Sequence, residues 1–136
     1  MYLSQAIVDK EGEEYPMAGI LPGTAVMGRR LAALGYCSAR CNRDTYFGSG
    51  GSEFNGHVFH WSEMRDLPEN AGKLFTVSRD SEDVGAGDIR ENVIGSWLHI
   101  HFASNPGALK GFVQAARDWK KNNRRDFEGQ QKRRKS

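Results

Sequence analysis

The 136 residues carry a net charge of only +2, with 38% hydrophobic and 26% charged side chains, which is typical of one modest globular domain. No apolar run approaches the roughly eighteen residues of a membrane span, and the N-terminus has no basic-then-apolar signal pattern. We therefore expect a cytoplasmic protein without a membrane partner. Two cysteines, Cys37 and Cys41, are too few for a disulfide framework and are predicted to be buried thiols.

Basic residues are concentrated at the C-terminal end of the chain. The last twenty residues hold nine Lys or Arg against three acidic residues, whereas the rest of the chain is mildly acidic. Phe127 is the one aromatic residue of residues 122–136, so the pattern favours a solvated tail, and no nucleic-acid partner is expected. We expect a folded part at residues 1–121 and a basic, disordered tail at 122–136.

The hydrophobic pattern predicts a series of short elements in the first hundred residues. Residues 3–8 could form a short helix, and residues 24–33 are ambiguous. The loops include a glycine-rich segment at 45–55, either a hairpin connection or a flexible tip, and a second loop at 80–87. Apolar, β-branched and aromatic runs predict strands at 15–21, 34–43, 56–64, 73–78 and 93–102, the last of them buried.

One long helix is predicted at the end of the folded part, over residues 106–122. Ser104 or Asn105 would cap it, and Pro106 would occupy its first turn. Its apolar stripe comprises Leu109, Phe112, Val113, Ala116 and Trp119. Short hairpin links imply antiparallel strands, so the order of elements indicates the C-terminal half of an α/β domain.

The four histidines are the residues best suited to carry chemistry. His57 and His60 lie three apart on a predicted strand and should therefore face opposite sides. His99 and His101 lie two apart and would share a face, which permits a shared ligand or metal; a metal-binding module remains a weaker alternative, and no metal site is assigned. His99 ends an apolar strand, but proton transfer there needs a nucleophile, and neither cysteine has the glycine context of a nucleophile elbow.

Four segments in order carry a resemblance to a known family: MAGILPG (17–23), LGYCSARC (34–41), GHVFHWSEM (56–64) and GSWLHIHFASNP (95–106). Together they resemble the C-terminal amidotransferase domain of cobyrinate a,c-diamide synthases, which are class I glutamine amidotransferases of the cobyric acid synthase type. The resemblance covers roughly residues 1–106. It implies an α/β fold, the C-terminal half of a flavodoxin-like class I amidotransferase domain.

The resemblance also implies a mechanism and a set of site residues. In this family a cysteine thiolate attacks the side-chain amide of glutamine, and a histidine activates the thiol and protonates the departing ammonia. The matching histidine is His99, while His57, His60 and Ser62 are expected to shape the adjoining wall or bind substrate. Because Met1-Tyr2-Leu3 resembles the segment after the family's nucleophile elbow, the cysteine is expected just before residue 1, and the chain alone should be inactive.

The implied partners are glutamine, a corrin or related tetrapyrrole, and an N-terminal synthetase domain outside this chain. That domain would bind ATP and Mg²⁺, so no cofactor is expected on this chain itself. The expected activity is the glutaminase part of an a,c-diamide synthase in cobalamin biosynthesis. Alternatives are the non-catalytic half of a split amidotransferase, or a relative of cobyric acid synthase or of nickel-sirohydrochlorin diamide synthase.

Overall fold

A computed structural model describes residues 1–123 of the protein. Within this part, eleven short strands precede one α-helix. The strands are β1 (Ala6–Val8), β2 (Glu14–Pro16), β3 (Thr24–Met27), β4 (Ala33–Cys41), β5 (Glu53–His60), β6 (Ser62–Arg65), β7 (Phe75–Arg79), β8 (Glu82–Ala86), β9 (Asp88–Arg90), β10 (Val93–Gly95) and β11 (Leu98–Ile100). A 3-10 turn, Phe102–Ser104, leads into α1 (Pro106–Asn122).

The described strands form three sheets. The largest has the order β11-β5-β4-β7-β8 and is antiparallel throughout. The second has the order β2-β1-β3-β6 and is mixed, because β1 runs parallel to β3. The hairpin of β9 and β10 forms the third. Mixed sheets followed by one helix agree with the predicted α/β class. The antiparallel β4–β5 pair shows that the glycine-rich segment is a hairpin connection, although its residues 53–55 belong to β5.

The core lies on one face of the five-stranded sheet. Side chains alternate along a strand, so β4 and β5 each place every second residue in this core. Phe54 and Phe75 are almost completely buried, and their rings meet edge to face at 6.3 Å. The other buried members of the cluster are Cys37, Ala39, Cys41, Val58, Leu74, Val77, Leu98 and Ala108.

Helix α1 begins and ends where the sequence predicts. The side-chain oxygen of Asn105 accepts a hydrogen bond from the Ala108 N–H at 3.2 Å, which caps the first turn. Phe112 stacks on Phe47 at 5.7 Å, and Gly111 is needed there because a Cβ would collide with the Tyr46 carbonyl oxygen. Even so, the stripe is not buried, because all five of its members are exposed: Leu109, Phe112, Val113, Ala116 and Trp119.

Two predictions near the N-terminus are wrong in part. Residues 3–8 do not form a helix; β1 occupies part of that segment, because Ile7 and Val8 are β-branched and two neighbouring strands supply their hydrogen bonds. The strand predicted at 15–21 is confined to β2. Residues 18–21 instead donate backbone hydrogen bonds to residues 2–4, which turns them away from the ladder.

Two predicted long strands are each divided between sheets. The segment 56–64 breaks at Trp61, whose carbonyl accepts a hydrogen bond from the Gly28 N–H at 2.6 Å and turns the chain into β6. The segment 93–102 is not one buried strand. It breaks after β10, where the Ser96 hydroxyl accepts from the Leu98 N–H at 3.0 Å, and β10 and β11 then pair with different partners.

The loop predicted at 80–87 is also wrong, since most of it is strand β8. Asp80 and Ser81 both have positive φ, 51° and 68°, which gives a two-residue turn that suits a hairpin. The strands predicted at 34–43 and 73–78 are confirmed as β4 and β7, with shifted ends. The ambiguous segment contains β3. The prediction of a disordered tail falls almost entirely on residues 124–136, which lie outside the described part of the chain.

Candidate functional site

His99 and His57 lie side by side on the open face of the five-stranded sheet. They are directly opposed in the pairing of β11 with β5, and their ring centroids are 6.2 Å apart at an interplanar angle of 89°. Tyr36 extends the row on β4, with its ring 5.6 Å from that of His57. Their strand neighbours Leu98 and Val58 point into the core, so alternation directs the two histidines outward.

The row Tyr36–His57–His99 is accessible to a ligand. The Tyr36 side chain is 88% exposed, and His99 is also exposed. Within residues 1–123 no side-chain hydrogen bond engages either histidine ring. An imidazole with free nitrogens can accept, donate or transfer a proton, so the row can perform acid-base chemistry on a molecule that reaches this face.

His60 lies on the other side of the five-stranded sheet from His57, as strand alternation predicts, and Ser62 follows it as the first residue of β6 in the second sheet. The His60 ring stacks on Trp97, with centroids 4.6 Å apart and planes 16° from parallel, and its Nδ1 lies 2.8 Å from the Ser62 carbonyl oxygen. The buried Ser62 hydroxyl donates to the Met1 sulfur at 3.1 Å. The four site residues predicted from the sequence therefore form two separate pairs.

Two cavities meet at Trp97. One, of about 380 Å³, lies between the two larger sheets and is lined by His60, Trp97, Val58 and Glu63 among others. The other, of about 350 Å³, lies beyond Trp97 and is lined in part by Met1 and Leu21. Volumes of this order suit small ligands. His99 lines neither cavity.

Comparison with known proteins identifies the family. Residues 1–107 match the family model of the CobB/CobQ-like glutamine amidotransferase domain. The chain belongs to this family. The matched region includes the four segments that resemble the family and the whole of β5 and β11. His57, His99, His60 and Ser62 therefore all lie inside the amidotransferase domain.

Several curated relatives carry the name cobyrinate a,c-diamide synthase. The protein of Dehalococcoides mccartyi (strain CBDB1) is 38% identical over 125 residues, which are 88% of this chain and 26% of the relative. That of Leptospira interrogans (strain Fiocruz L1-130) is 37% identical over 118 residues, 85% of this chain and 26% of the relative. That of Salmonella typhimurium (strain LT2) is 36% identical over 121 residues, 86% of this chain and 26% of the relative. The chain thus spans about a quarter of their length.

The two cysteines of this amidotransferase chain are poor nucleophiles. Cys41 is 1% exposed and donates its S–H to the Arg43 carbonyl oxygen at 3.0 Å. Cys37 is also buried, and burial raises the pKa of its thiol, with only a partial opposing effect from Arg79. Thiolate attack needs an accessible thiol, which neither buried residue offers.

Metal binding finds no support in the arrangement of donor groups. Residues 1–123 contain no grouping of three or more His, Cys, Asp and Glu side chains able to hold an ion. The His101 side chain is exposed, and the structure shows no ring contact between it and His99. The same residues include no helix long and apolar enough to cross a membrane.

Sequence reasoning missed two residues that the structure brings to the histidines, Tyr36 and Trp97. Both lie in the segments that carry the family resemblance, but neither spacing nor composition connects them with a histidine far away in the chain. An exposed tyrosine between two small residues of β4 was the available signal for Tyr36. No local signal indicates that Trp97 stacks on His60, because that contact depends on how the chain folds after β10.

Proposed function

We propose that this chain is the glutamine-hydrolysing part of an amidotransferase and that His99 transfers the proton in that reaction. The observation that supports this most directly is the place of His99 within the matched family domain, exposed in the middle of the short strand β11 with its ring nitrogens free. His57 is the neighbouring group best placed to orient a substrate beside it.

The proposed reaction begins with a cysteine thiol that these 136 residues do not supply, since Cys37 and Cys41 are buried in the core. His99 takes the proton of that thiol as the sulfur attacks the carboxamide carbon of glutamine. The C–N bond then breaks, His99 returns the proton to the departing nitrogen, and ammonia leaves. Water hydrolyses the resulting thioester to glutamate and regenerates the thiol.

We further propose that the ammonia is used to amidate carboxylates of a corrin such as cobyrinate. The relatives that match this chain are named for the a,c-diamidation of cobyrinate, and they are about four times longer than the aligned region, which leaves room for a synthetase domain. Activation of a carboxylate requires ATP and Mg²⁺. The proposal places both in that separate domain.

Reconstitution tests this proposal. The upstream portion of a related synthase, ending in its nucleophile elbow, is supplied as a fusion or as a second chain, and glutamate release from glutamine is measured. Glutamate release should require both parts. A reconstituted, folded complex that binds glutamine but never releases glutamate would overturn the assignment of this chain as a glutaminase.

Three histidine variants test the assignment of the proton-transfer group. His99→Ala should lower glutaminase turnover by about two to four orders of magnitude, the usual effect of removing a positioned acid-base group. His101→Ala is the matched control and should remain within a few-fold of wild type, because its exposed ring touches no site residue. His60 is the competing candidate, since Ser62 connects it to Met1. Loss of turnover with His60→Ala while His99→Ala stays active would transfer the role to His60.

A further inference from the structure

Asn55 occupies a strand position that its local sequence does not favour. Asparagine is depleted in β-strands, and the pair Asn-Gly is a strong signal for a tight hairpin turn. Asn55 and Gly56 nevertheless lie inside β5, where Gly56 is explained by the close approach of the His99 carbonyl oxygen. No such packing reason applies to Asn55, because its side chain is exposed. Departures from local preference of this kind are expected at functional positions.

The backbone of Asn55 is held in place, whereas its side chain has no partner. The Asn55 N–H donates to the Ser104 hydroxyl at 2.9 Å, and its carbonyl oxygen accepts from the His101 N–H at 2.9 Å. Within residues 1–123 the side-chain carboxamide makes no hydrogen bond. The residue paired with it on β4 is Ser38, whose short side chain leaves the carboxamide exposed. Asn55 therefore presents two N–H donors and an accepting oxygen to a ligand.

Asn55 and His99 lie on the same face of the sheet, close enough to contact one small molecule together. His99 is paired with His57, and Asn55 precedes His57 by two residues, so alternation points all three side chains the same way. Diagonal neighbours of this kind are about 7–8 Å apart. Extended glutamine measures about 5 Å from its carboxamide carbon to its α-carboxylate carbon, given C–C bonds of about 1.5 Å. A glutamine whose carboxamide lies at His99 can therefore place its α-carboxylate at Asn55.

We propose that Asn55 is a specificity-determining residue that donates a side-chain N–H to the α-carboxylate of glutamine, with the carboxamide of the same molecule at His99. This inference rests on the proposed glutaminase function. The contact lies on the open face of the five-stranded sheet, beside the proton-transfer group, and Asn55 lines neither of the cavities at Trp97. It favours L-glutamine over amides without the carboxylate, because such a molecule leaves the Asn55 N–H without its charged partner.

Binding is measured first, in the reconstituted enzyme and without turnover. The cysteine of the upstream portion is replaced by alanine so that glutamine is not consumed, and equilibrium dialysis with labelled L-glutamine gives Kd. Asn55→Ala should weaken binding by about tenfold, the usual effect of one hydrogen bond to a charged group. Asn55→Asp has the same shape but sets a carboxylate against a carboxylate, so it should bind more weakly still. Asn70→Ala is the matched control: Asn70 is an exposed asparagine between β6 and β7 and should keep the wild-type Kd.

A second ligand shows which end of glutamine Asn55 contacts. γ-Aminobutyramide is glutamine without its α-carboxylate, and its Kd is measured by competition with labelled L-glutamine. That Kd should be the same in wild type and Asn55→Ala, because the amide has no carboxylate for Asn55 to bind. Equal weakening for both ligands would overturn the contact. Tighter binding of L-glutamine by Asn55→Asp would place the α-ammonium at this position and would also overturn it.

Kinetics then test the contact during the reaction, with the cysteine restored. Asn55→Ala should raise KM for L-glutamine by about tenfold, with little change in turnover at saturating glutamine or in the use of free ammonium. A fall in ammonium use and glutamine use together would show that Asn55 supports the fold, and its role in specificity would be overturned.

The outcomes separate this contact from the glutaminase proposal. If Kd depends on Asn55 as expected but the active complex releases no glutamate, the contact holds and the glutaminase proposal fails. If Asn55→Ala releases glutamate with the wild-type KM, the glutaminase proposal holds and the contact is overturned. If the wild-type complex binds no glutamine, both fail.

Discussion

Replacing Gly56 with alanine should push β11 away from β5 and weaken both the fold and the reaction. Gly56 is paired with Ile100 across the two strands, at the point where β11 carries His99. A Cβ on Gly56 would lie 2.8 Å from the His99 carbonyl oxygen and 2.8 Å from the Leu98 Cδ1 atom, against the 3.4 Å at which ordinary contact begins. Since the His99 oxygen belongs to the backbone, β11 itself must move away from β5.

The size of the effect follows from that shortfall. A displacement of about 0.6 Å restores contact, and overpacking of this kind costs about 1–3 kcal/mol. Each kcal/mol lowers Tm by about 2–8 °C in a domain of this size range. A misplacement of about 1 Å can cost a hundredfold in rate, so glutamine-dependent turnover should fall by about tenfold or more.

Thermal unfolding of the 136-residue chain and turnover of the reconstituted enzyme measure the two effects. Gly12→Ala is the control: Gly12 has φ of +95° in an exposed turn, and a Cβ there meets nothing within 4 Å. It should lose about 1–2 kcal/mol through backbone strain alone and keep full turnover. Wild-type Tm and turnover in Gly56→Ala would refute the close packing of β11 on Gly56.

Three further predictions concern other parts of the fold. Because burial raises the pKa of Cys37, a thiol reagent should label it slowly in the native chain, and the labelling rate should rise only at a pH above the usual pKa range of thiols. Rapid labelling at neutral pH would contradict this. Cys37→Ser should keep normal turnover. Asn105→Ala should lower the unfolding free energy by about 1–2 kcal/mol, because it loses both the cap and the hydrogen bond from Nδ2 to the Glu53 carbonyl, whereas Asn105→Asp keeps the accepting oxygen and should lose less. Wild-type stability in Asn105→Ala would show that the cap is unimportant. Leu34 and Phe59 are paired across the open face of the five-stranded sheet and are 54% and 50% exposed. The chain should therefore self-associate as its concentration rises, and Phe59→Lys should reduce the association. Sedimentation that shows a wild-type monomer at every concentration would contradict this prediction.

The elements that the sequence predicts well are those specified by neighbouring residues. Helix α1 has its boundaries in the local order Asn105-Pro106 followed by a helical apolar repeat, and both signals act within a few residues. β4 was predictable for a similar reason, since its buried and exposed residues alternate. The sequence places His99 at the end of an apolar strand, whereas the structure has it as the middle residue of β11, and its role in the site stays a prediction.

The errors occur where a distant partner decides the local structure. Residues 93–102 have the pattern of one strand, but the first part pairs with β9 and the second part pairs with β5. No local signal marks the break at Ser96. β8 was missed because Asp80 and Ser81 adopt left-handed conformations that propensity does not predict. The division of the predicted site into two pairs could not be predicted for the same reason. It depends on two long-range features, the register of β5 against β11 and the stack of Trp97 on His60.

The ratio of glutamine-dependent to ammonia-dependent amidation in His99→Ala tests the central claim most directly. Both rates are measured in one reconstituted preparation, with a corrin carboxylate as acceptor and His101→Ala beside it as the control. If His99 transfers protons in glutamine hydrolysis, the ratio should fall by about two to four orders of magnitude, because the synthetase reaction can use free ammonia without this histidine. An unchanged ratio, with both rates intact or both reduced together, would contradict the assignment of His99 as the group that activates the thiol.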